Sequence, residues 1–273
     1  MIKKYKLLIL ALLVFIIIFA YIFAIKGKKT HNKDISWIRE IPIAHRGLDN
    51  GDTPENSMEA FKKAIEKGYA IELDVQLTKD KELIVFHDSN LERLTKDKRD
   101  VADVTYDEIN SLKLENTNET IPTLKDVLKL VDNKVPLLIE IKTGNNAKEI
   151  AESTYNIVKD YNGIYAIESF DPFILEWFKN NAKQVIRCQL SGGFKWKEND
   201  NLKWYEKFLL RNLLLNFKSR PHAIAYELKY IDNLSVKLLK GKYPIISWPI
   251  TDEEDMKKGY EKSDNIIFDN ILP

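Results

Sequence analysis

From Leu7 to Ile25 every residue is apolar or tyrosine, with Lys3, Lys4 and Lys6 before the run and Lys26, Lys28 and Lys29 after it. At about 1.5 Å per helical residue such a run approaches the ~30 Å hydrocarbon core of a bilayer. A cleavable signal peptide has a shorter apolar core, roughly 7–15 residues, closed by a small-residue cleavage site. Here the core is longer, no Ala-x-Ala pattern follows it, and no cysteine stands near residue 25 to take a lipid. The pattern predicts a retained, single-pass anchor in the cell membrane, with a cleaved signal as the alternative. The flanking lysines tie, so the positive-inside rule does not choose an orientation. A short tail ahead of one span usually stays inside, which predicts that the globular part is extracellular. Residues 1–30 thus read as anchor and start of a polar linker, 31–40 as linker, and 41–273 as one globular unit.

Beyond the linker the pattern changes to short apolar, β-branched runs separated by helix-like segments. Strands are predicted at Ile41–Ala44, Ala70–Leu77, Leu83–Phe86, Leu137–Ile141, Ile164–Glu168, Val185–Gln189, Ala223–Tyr226, Ile245–Trp248 and Ile266–Phe268. Helices are predicted at Asn56–Lys67, closed by Gly68, and at Thr123–Val131, Ala147–Asp160, Pro172–Asn181, Leu234–Lys240 and Asp252–Tyr260. Continuous apolar strands alternating with helices imply a parallel sheet covered on both faces. A parallel crossover needs about a dozen residues. The link Thr78-Lys79-Asp80-Lys81 is too short for one and reads as a hairpin turn, which brings His87 level with Leu73 and Asp74. Eight main strands plus a hairpin predict an α/β fold, a TIM-type (β/α)8 barrel with a short insertion.

Composition narrows the picture without deciding it. The 273 residues suffice for one large barrel, and a net charge of +1 gives no basic bias toward nucleic acid. Cys188 is the sole cysteine, which excludes an intramolecular disulfide. Only seven of the 42 basic residues are arginine, which draws attention to Arg46 beside His45.

Barrel catalysts sit at the C-terminal ends of strands. Those ends carry His45-Arg46-Gly47, Glu72-x-Asp74, His87-Asp88, Glu140-x-Lys142, Ser169-Phe170-Asp171 and Trp248. Glu72 and Asp74 are two apart on a strand, so both point to one face. Glu140, on the next strand, can join them. Any one of these acids alone is an ordinary strand-end charge or a partner of Lys142 or Arg46. Three aimed at one point repel unless a cation lies between them, and oxygen-only ligands select a hard divalent ion, Ca²⁺ or Mg²⁺. His45 and His87 titrate near neutrality and suit proton transfer, whereas His31 and His222 read as structural or solvent-facing. Arg46 offers a planar fork for phosphate oxygens and Lys142 a point charge. The set suits a phosphodiester.

Ile43-Ala44-His45-Arg46-Gly47, Pro54-Glu55-Asn56-Ser57, Glu72-Leu73-Asp74-Val75, Phe86-His87-Asp88, Glu140-Ile141-Lys142 and Ser169-Phe170-Asp171 occur in that order. This succession closely resembles the glycerophosphodiester phosphodiesterases, from about Ile41 to Pro273. The resemblance implies metal-dependent cleavage of glycerophosphodiesters to sn-glycerol 3-phosphate and an alcohol. It implies Glu72, Asp74 and Glu140 as metal ligands, His45 and His87 as the acid–base pair, and Arg46 and Lys142 as phosphate binders. Glu55 would be a metal ligand or a carboxylate supporting one, with the helix from Asn56 lending its N-terminal dipole. The family's first nucleophile is the substrate's own glycerol hydroxyl, giving a cyclic phosphate that water opens. Leu91–Thr123 resembles the family's small insertion. Trp248-Pro249-Ile250-Thr251 and Phe268-Asp269-Asn270 depart from its pattern. Trp248 is expected to line the substrate site, and the changes are expected to touch leaving-group preference while sparing the metal and proton machinery.

Gly192 to Arg220 is rich in aromatic, leucine and basic residues, Trp196 and Lys195 among them. Lys203, Lys207, Arg211 and Lys218 are spaced to share one helical face, as on an interfacial helix, and an outer barrel helix is the alternative. The expected partners are therefore a glycerophosphodiester or lysolipid substrate and the membrane, and the sequence identifies no protein partner. Alternative activities are a lysophospholipase D-like enzyme, cleavage of envelope polyglycerolphosphate, and an inactive anchored ligand-binding barrel.

Overall fold

The computed structural model describes residues 2–30, 35–49, 51–142, 146–194 and 202–273. Its strands are β1 (Ile43–Ala44), β2 (Ala70–Leu77), β3 (Leu83–Val85), β4 (Leu137–Ile141), β5 (Tyr165–Ser169), β6 (Ile186–Ser191), β7 (Ala223–Glu227), β8 (Ile245–Ile250) and β9 (Asn265–Phe268). All but β3 run parallel, and the ring closes because β1 pairs with β2 on one side and β9 on the other. The expected eight-stranded barrel is the fold. β3 returns antiparallel on β2 with Val75 opposite Val85. The Phe86 N–H then donates to Asp74 O at 3.0 Å, which brings His87 to the barrel mouth, as the short turn implied.

Alternation along the strands sorts the chemistry. One side chain in two points inward, and the lower layers inside the barrel are apolar: Ile43, Ala70, Leu138, Ala166, Ile186, Ala223, Ile246 and Ile267 pack together. The same faces continue upward as Glu72 and Asp74, Glu140 and Lys142, and Glu168. Within the stretch expected as linker, Trp37–Glu40 forms a helix, and Trp37 and Ile38 are buried with that inner cluster. Asn265 ties this floor down, donating to Ile38 O at 2.9 Å and Ile41 O at 2.7 Å. Burying Ile38 completely contributes about 2 kcal/mol.

The outer helices begin and end where their caps allow. Ser57 accepts from the Ala60 N–H and Gly68 terminates Met58–Lys67 in the left-handed region. Thr123 and Asp126 form a capping box at the start of Leu124–Val131. Asn56 was expected inside its helix but lies before it, at φ 56°, with its N–H on Arg46 O.

The expected single face of Lys203, Lys207, Arg211 and Lys218 does not form. The helix Trp204–Arg211 stops because Ser191 Oγ and the Tyr226 hydroxyl donate to the carbonyls of Leu210 and Arg211. Leu213 then turns at φ 56°, and Lys218 belongs to a separate short helix, Asn216–Ser219. Lys207 is buried, and Trp204, Tyr205 and Phe208 face outward instead. Lys195 and Trp196 lie outside the described residues. At the N-terminus, Ile2–Ile25 is one helix, of which Lys4–Ile25 is long and apolar enough to cross a membrane.

Candidate active site

The mouth is built from the ends of β1, β2, β4 and β5, the hairpin after β3, and the segment after β9. Glu72, Asp74 and Glu140 are buried, and each offers an oxygen within 4.8 Å of the others. Glu72 Oε2 accepts the Arg46 N–H at 3.0 Å, whereas Glu72 Oε1 is an enclosed oxygen without a hydrogen-bond partner. Asp74 is held by Asn56, whose side-chain amide donates to Oδ2 at 2.8 Å, and by Lys142 Nζ, 2.7 Å from Oδ1. Lys142 Nζ also lies 2.9 Å from Glu140 Oε1.

These charges do not balance internally. Burial pushes the Glu72 carboxyl well above its ordinary pKa, and Asp74, Glu168 and Glu140 push it further. Glu140 rises to about 7 through burial, against the pull of Lys142. Burial would raise Asp74 too, but Lys142, His87 and Arg46 hold it far below the usual carboxylate range. Three converging carboxylates with one enclosed, unpartnered oxygen fit a hard divalent ion, and no softer donor is in the group.

Each histidine is set by an acid at Nδ1. His45 Nδ1 is 3.3 Å from Asp269 Oδ2, with Nε2 4.0 Å from Glu72 Oε2. His87 Nδ1 is 2.6 Å from Asp88 Oδ1. A carboxylate at Nδ1 keeps the proton there and leaves Nε2 as the free nitrogen. Burial, and then Lys142, lower the His87 pKa. Gln76 fixes the His87 backbone, its amide nitrogen donating to the carbonyls of Phe86, His87 and Asp88 at 2.8, 3.0 and 2.8 Å.

Arg46 sits at φ 55°, and Gly47 follows at φ 84°. A Cβ on Gly47 would meet Ala60 at 2.9 Å, so the turn that aims Arg46 admits only glycine. Arg46 Nη1 donates to Glu55 Oε1 at 2.7 Å, and Arg93 donates to both oxygens of the same carboxylate. Glu55 was expected to hold or support a metal. Its oxygens are taken by the two arginines, and since Arg46 Nε lies 3.3 Å from Asp74 Oδ2, Glu55 stands outside the cluster of Glu72, Asp74 and Glu140 and supports it through Arg46.

A cleft of about 800 Å³ opens over the cluster, lined by Gln76, His87, Asp88, Ser89, Asn90, Glu92, Arg93, Glu140, Lys142 and Phe170. Trp248 stands at its edge, its ring 5.6 Å from Phe170 and perpendicular to it. Ser169 and Asp171, adjacent to Phe170, serve the scaffold: Ser169 Oγ donates to Ile141 O, and Asp171 caps Pro172–Asn181. His222 is buried and accepts the Arg187 N–H, and His31 lies outside the described residues.

Sequence reasoning missed four groups. Glu168 is fully enclosed one strand beyond Glu140, and burial, Glu140 and Asp74 drive its pKa well up. A charged residue on the inward face of an apolar strand was the available signal. Gln76, two after Asp74 on β2, carried a weaker form of that signal, as a polar amide on the same inward face. Arg93 has none, because only the folded insertion brings it to Glu55 and Asp88. Asp269 overturns an expectation: the C-terminal departure was thought to spare the proton machinery, yet this acid touches His45.

Comparison with known proteins completes the picture. The chain is 42% identical over 159 residues, 54% of its length, to a glycerophosphodiester phosphodiesterase of Caldanaerobacter subterraneus subsp. tengcongensis. It spans 65% of that relative's length, and 45% and 44% of two further bacterial relatives. It is 25% identical to lysophospholipase D GDPD1 of Homo sapiens, over 80% of this chain and 79% of that one. The crystal structure of a glycerophosphodiester phosphodiesterase from Thermotoga maritima superposes with a TM-score of 0.64 at 30% identity, covering 84% of this chain and 95% of that chain. Residues 45–271 match the profile of the glycerophosphoryl diester phosphodiesterase family. With its barrel, its motif order and this match, the chain belongs to the glycerophosphoryl diester phosphodiesterase family.

Proposed function

We propose that the chain is a membrane-anchored phosphodiesterase that hydrolyses glycerophosphodiesters to sn-glycerol 3-phosphate and an alcohol, with Ca²⁺ or Mg²⁺ held by Glu72, Asp74 and Glu140. One observation carries the proposal: three buried carboxylates within 4.8 Å of one another in the mouth that also holds His45 and His87. When bound there, a hard divalent ion supplies Lewis-acid stabilisation of the charge that builds on the phosphoryl oxygens.

The chain's own residues supply the rest. Arg46, clamped by Glu55, and Lys142, braced by two carboxylates, are cations already oriented for phosphate oxygens. His87 is the proton acceptor, since burial and Lys142 favour its neutral form. It takes the proton of the attacking hydroxyl at Nε2. His45, oriented by Asp269 and starting with both ring nitrogens protonated, gives its Nε2 proton to the departing alcohol. When water opens the cyclic phosphate, His45 takes a proton from the water and His87 returns its own to the leaving ring oxygen, so both end as they began. Trp248 and Phe170 line the alcohol side.

Retention of the anchor is supported by the contacts of its last turn, which a cleaved leader would not need. Arg220 Nη1 donates to Phe23 O and Lys26 O at 2.9 and 2.8 Å, and Asn216 donates to Ile25 O at 2.9 Å. The usual layout of a single N-terminal span supports a catalytic domain, residues 41–273, outside the cell membrane. A second reading, a lysophospholipase D-like activity, is favoured by this anchor and by the name of the Homo sapiens relative.

The test is release of sn-glycerol 3-phosphate by the full chain from glycerophosphocholine, glycerophosphoethanolamine and glycerophosphoglycerol, with EDTA and with either ion restored. Ion-dependent release is expected. No release from any of the three by folded protein would refute the primary reading, and choline release from lysophosphatidylcholine would then establish the second.

A further inference from the structure

The docking of the N-terminal helix fixes more than attachment. The Tyr21 hydroxyl is 2.8 Å from Ser235 Oγ, in the first turn of the helix that follows β7. Ser235 Oγ in turn bonds Asn212 O, beside the upper end of β7, where the Tyr226 hydroxyl reaches Arg211 O. Six residues later the chain is at the opposite end of the barrel: Lys28 N–H donates to Pro221 O, and the Tyr243 hydroxyl to Gly27 O. Pro221 and Tyr243 precede β7 and β8, so they mark the floor. From Tyr21 to Gly27 the chain therefore runs from the mouth end toward the floor. Its preceding residues continue past the mouth.

Those residues touch little of the barrel. Every large side chain from Leu7 to Phe19 is between 47% and 69% exposed. Of the candidate span, Lys4–Ile25, the part ahead of Tyr21 is about 26 Å of helix, within a few Å of the ~30 Å hydrocarbon core. Since the span's last turn is already packed on the barrel flank, no spacer separates the barrel rim from the bilayer. On that rim Trp204, Tyr205 and Phe208 are 63%, 42% and 56% exposed, on a helix whose end is tied to the tops of β6 and β7. Phe173 and Leu234, each at the mouth-side start of its helix, are exposed as well. Lys203 and Arg211 flank the Trp204 helix, Lys229 follows β7 on the mouth side, and all three are exposed.

We infer that the barrel mouth faces the bilayer that holds the N-terminal helix, with Trp204, Tyr205 and Phe208 seated in its headgroup region and Lys203, Arg211 and Lys229 on anionic headgroups. Exposed aromatics flanked by cations are the composition such a surface takes. The active-site cleft then opens toward the membrane surface, and the substrates it meets first are phosphodiesters standing in that surface. The inference rests on the reading of the N-terminal helix as a retained span.

The test uses the full chain in phosphatidylcholine vesicles containing phosphatidylglycerol, with brominated lipids as quenchers of tryptophan fluorescence. Wild type is expected to be quenched by bromines placed high on the acyl chains, and Trp204→Phe to lose a distinct share of that quenching. Equal quenching in the two proteins, or a Trp204 open to aqueous iodide in vesicles, overturns the orientation. This readout needs no turnover, so it stands apart from the proposed activity. In the same vesicles, the triple variant Trp204→Ser, Tyr205→Ser, Phe208→Ser should cleave embedded lysophosphatidylglycerol at least about tenfold more slowly than wild type. It should cleave soluble glycerophosphoglycerol at the wild-type rate. A parallel loss on both substrates, or on neither, contradicts a membrane-facing mouth.

Discussion

Glu140 gives the sharpest handle on the buried acids. Its carboxyl is enclosed, and burial lifts its pKa from 4.5 to about 7 against the pull of Lys142, with Asp74 adding to the rise. Between those values the folded, ion-free protein keeps a proton that the unfolded chain has released. Stability therefore falls as pH rises through that window, by ~1.4 kcal/mol per unit for this group. The full shift amounts to about 3 kcal/mol lost by about pH 8 relative to about pH 4. Glu140→Gln has no charge to bury. After EDTA treatment, urea unfolding of the detergent-solubilised full chain should find this variant more stable than wild type by about 3 kcal/mol near pH 8. Near pH 4 the two should agree within ~0.5 kcal/mol. Glu140 is itself one of the charges that raise Glu72 and Glu168, so its removal eases those groups as well and acts in the same direction. Adding Ca²⁺ should close that gap near pH 8, because an ion at 100 times its Kd stabilises by about 2.7 kcal/mol only where its ligands are intact. A variant no more stable than wild type near pH 8 without ion would refute burial as the cause of the shift.

His45→Ala and His87→Ala should each lower turnover by roughly 10²–10⁴-fold with unfolding curves unchanged, and near-normal rates in either would remove that residue from the mechanism. Asp269→Asn should cost at least about tenfold in kcat with KM little changed, since it disturbs the His45 tautomer and not the phosphate site; an unaltered kcat would leave the acid without a role in proton transfer. Gly47→Ala should destabilise the barrel by about 1–3 kcal/mol, because φ 84° and the 2.9 Å approach to Ala60 both oppose a Cβ. An equally stable variant would show that the Arg46 turn can relax.

Legibility in the sequence followed the range of the interactions. Strand and helix periodicity carried the barrel, because each strand's apolar run is decided by its own burial. The Thr78–Lys81 turn carried the position of His87 for the same local reason. Groups that depend on chain closure were hidden. Asp269 meets His45 only because β9 closes on β1, 224 residues away in sequence. Arg93 reaches Glu55 only through the packed insertion around Ile84, Phe86 and Leu94. The basic face expected across Lys203 to Lys218 failed because two side chains from neighbouring strands end the helix at Arg211. Glu168 was readable and passed over, since its place in an apolar strand resembled a strand end.

The most direct measurement of the central claim is to follow ion occupancy and turnover together. Mn²⁺ binding, read by electron paramagnetic resonance, would be titrated against glycerol 3-phosphate release for wild type and for Glu72→Gln. One tightly held ion per wild-type chain is expected, with turnover rising in step with occupancy, and both lost together in the variant. Turnover without the ion, or undiminished binding and activity in Glu72→Gln, would contradict that claim.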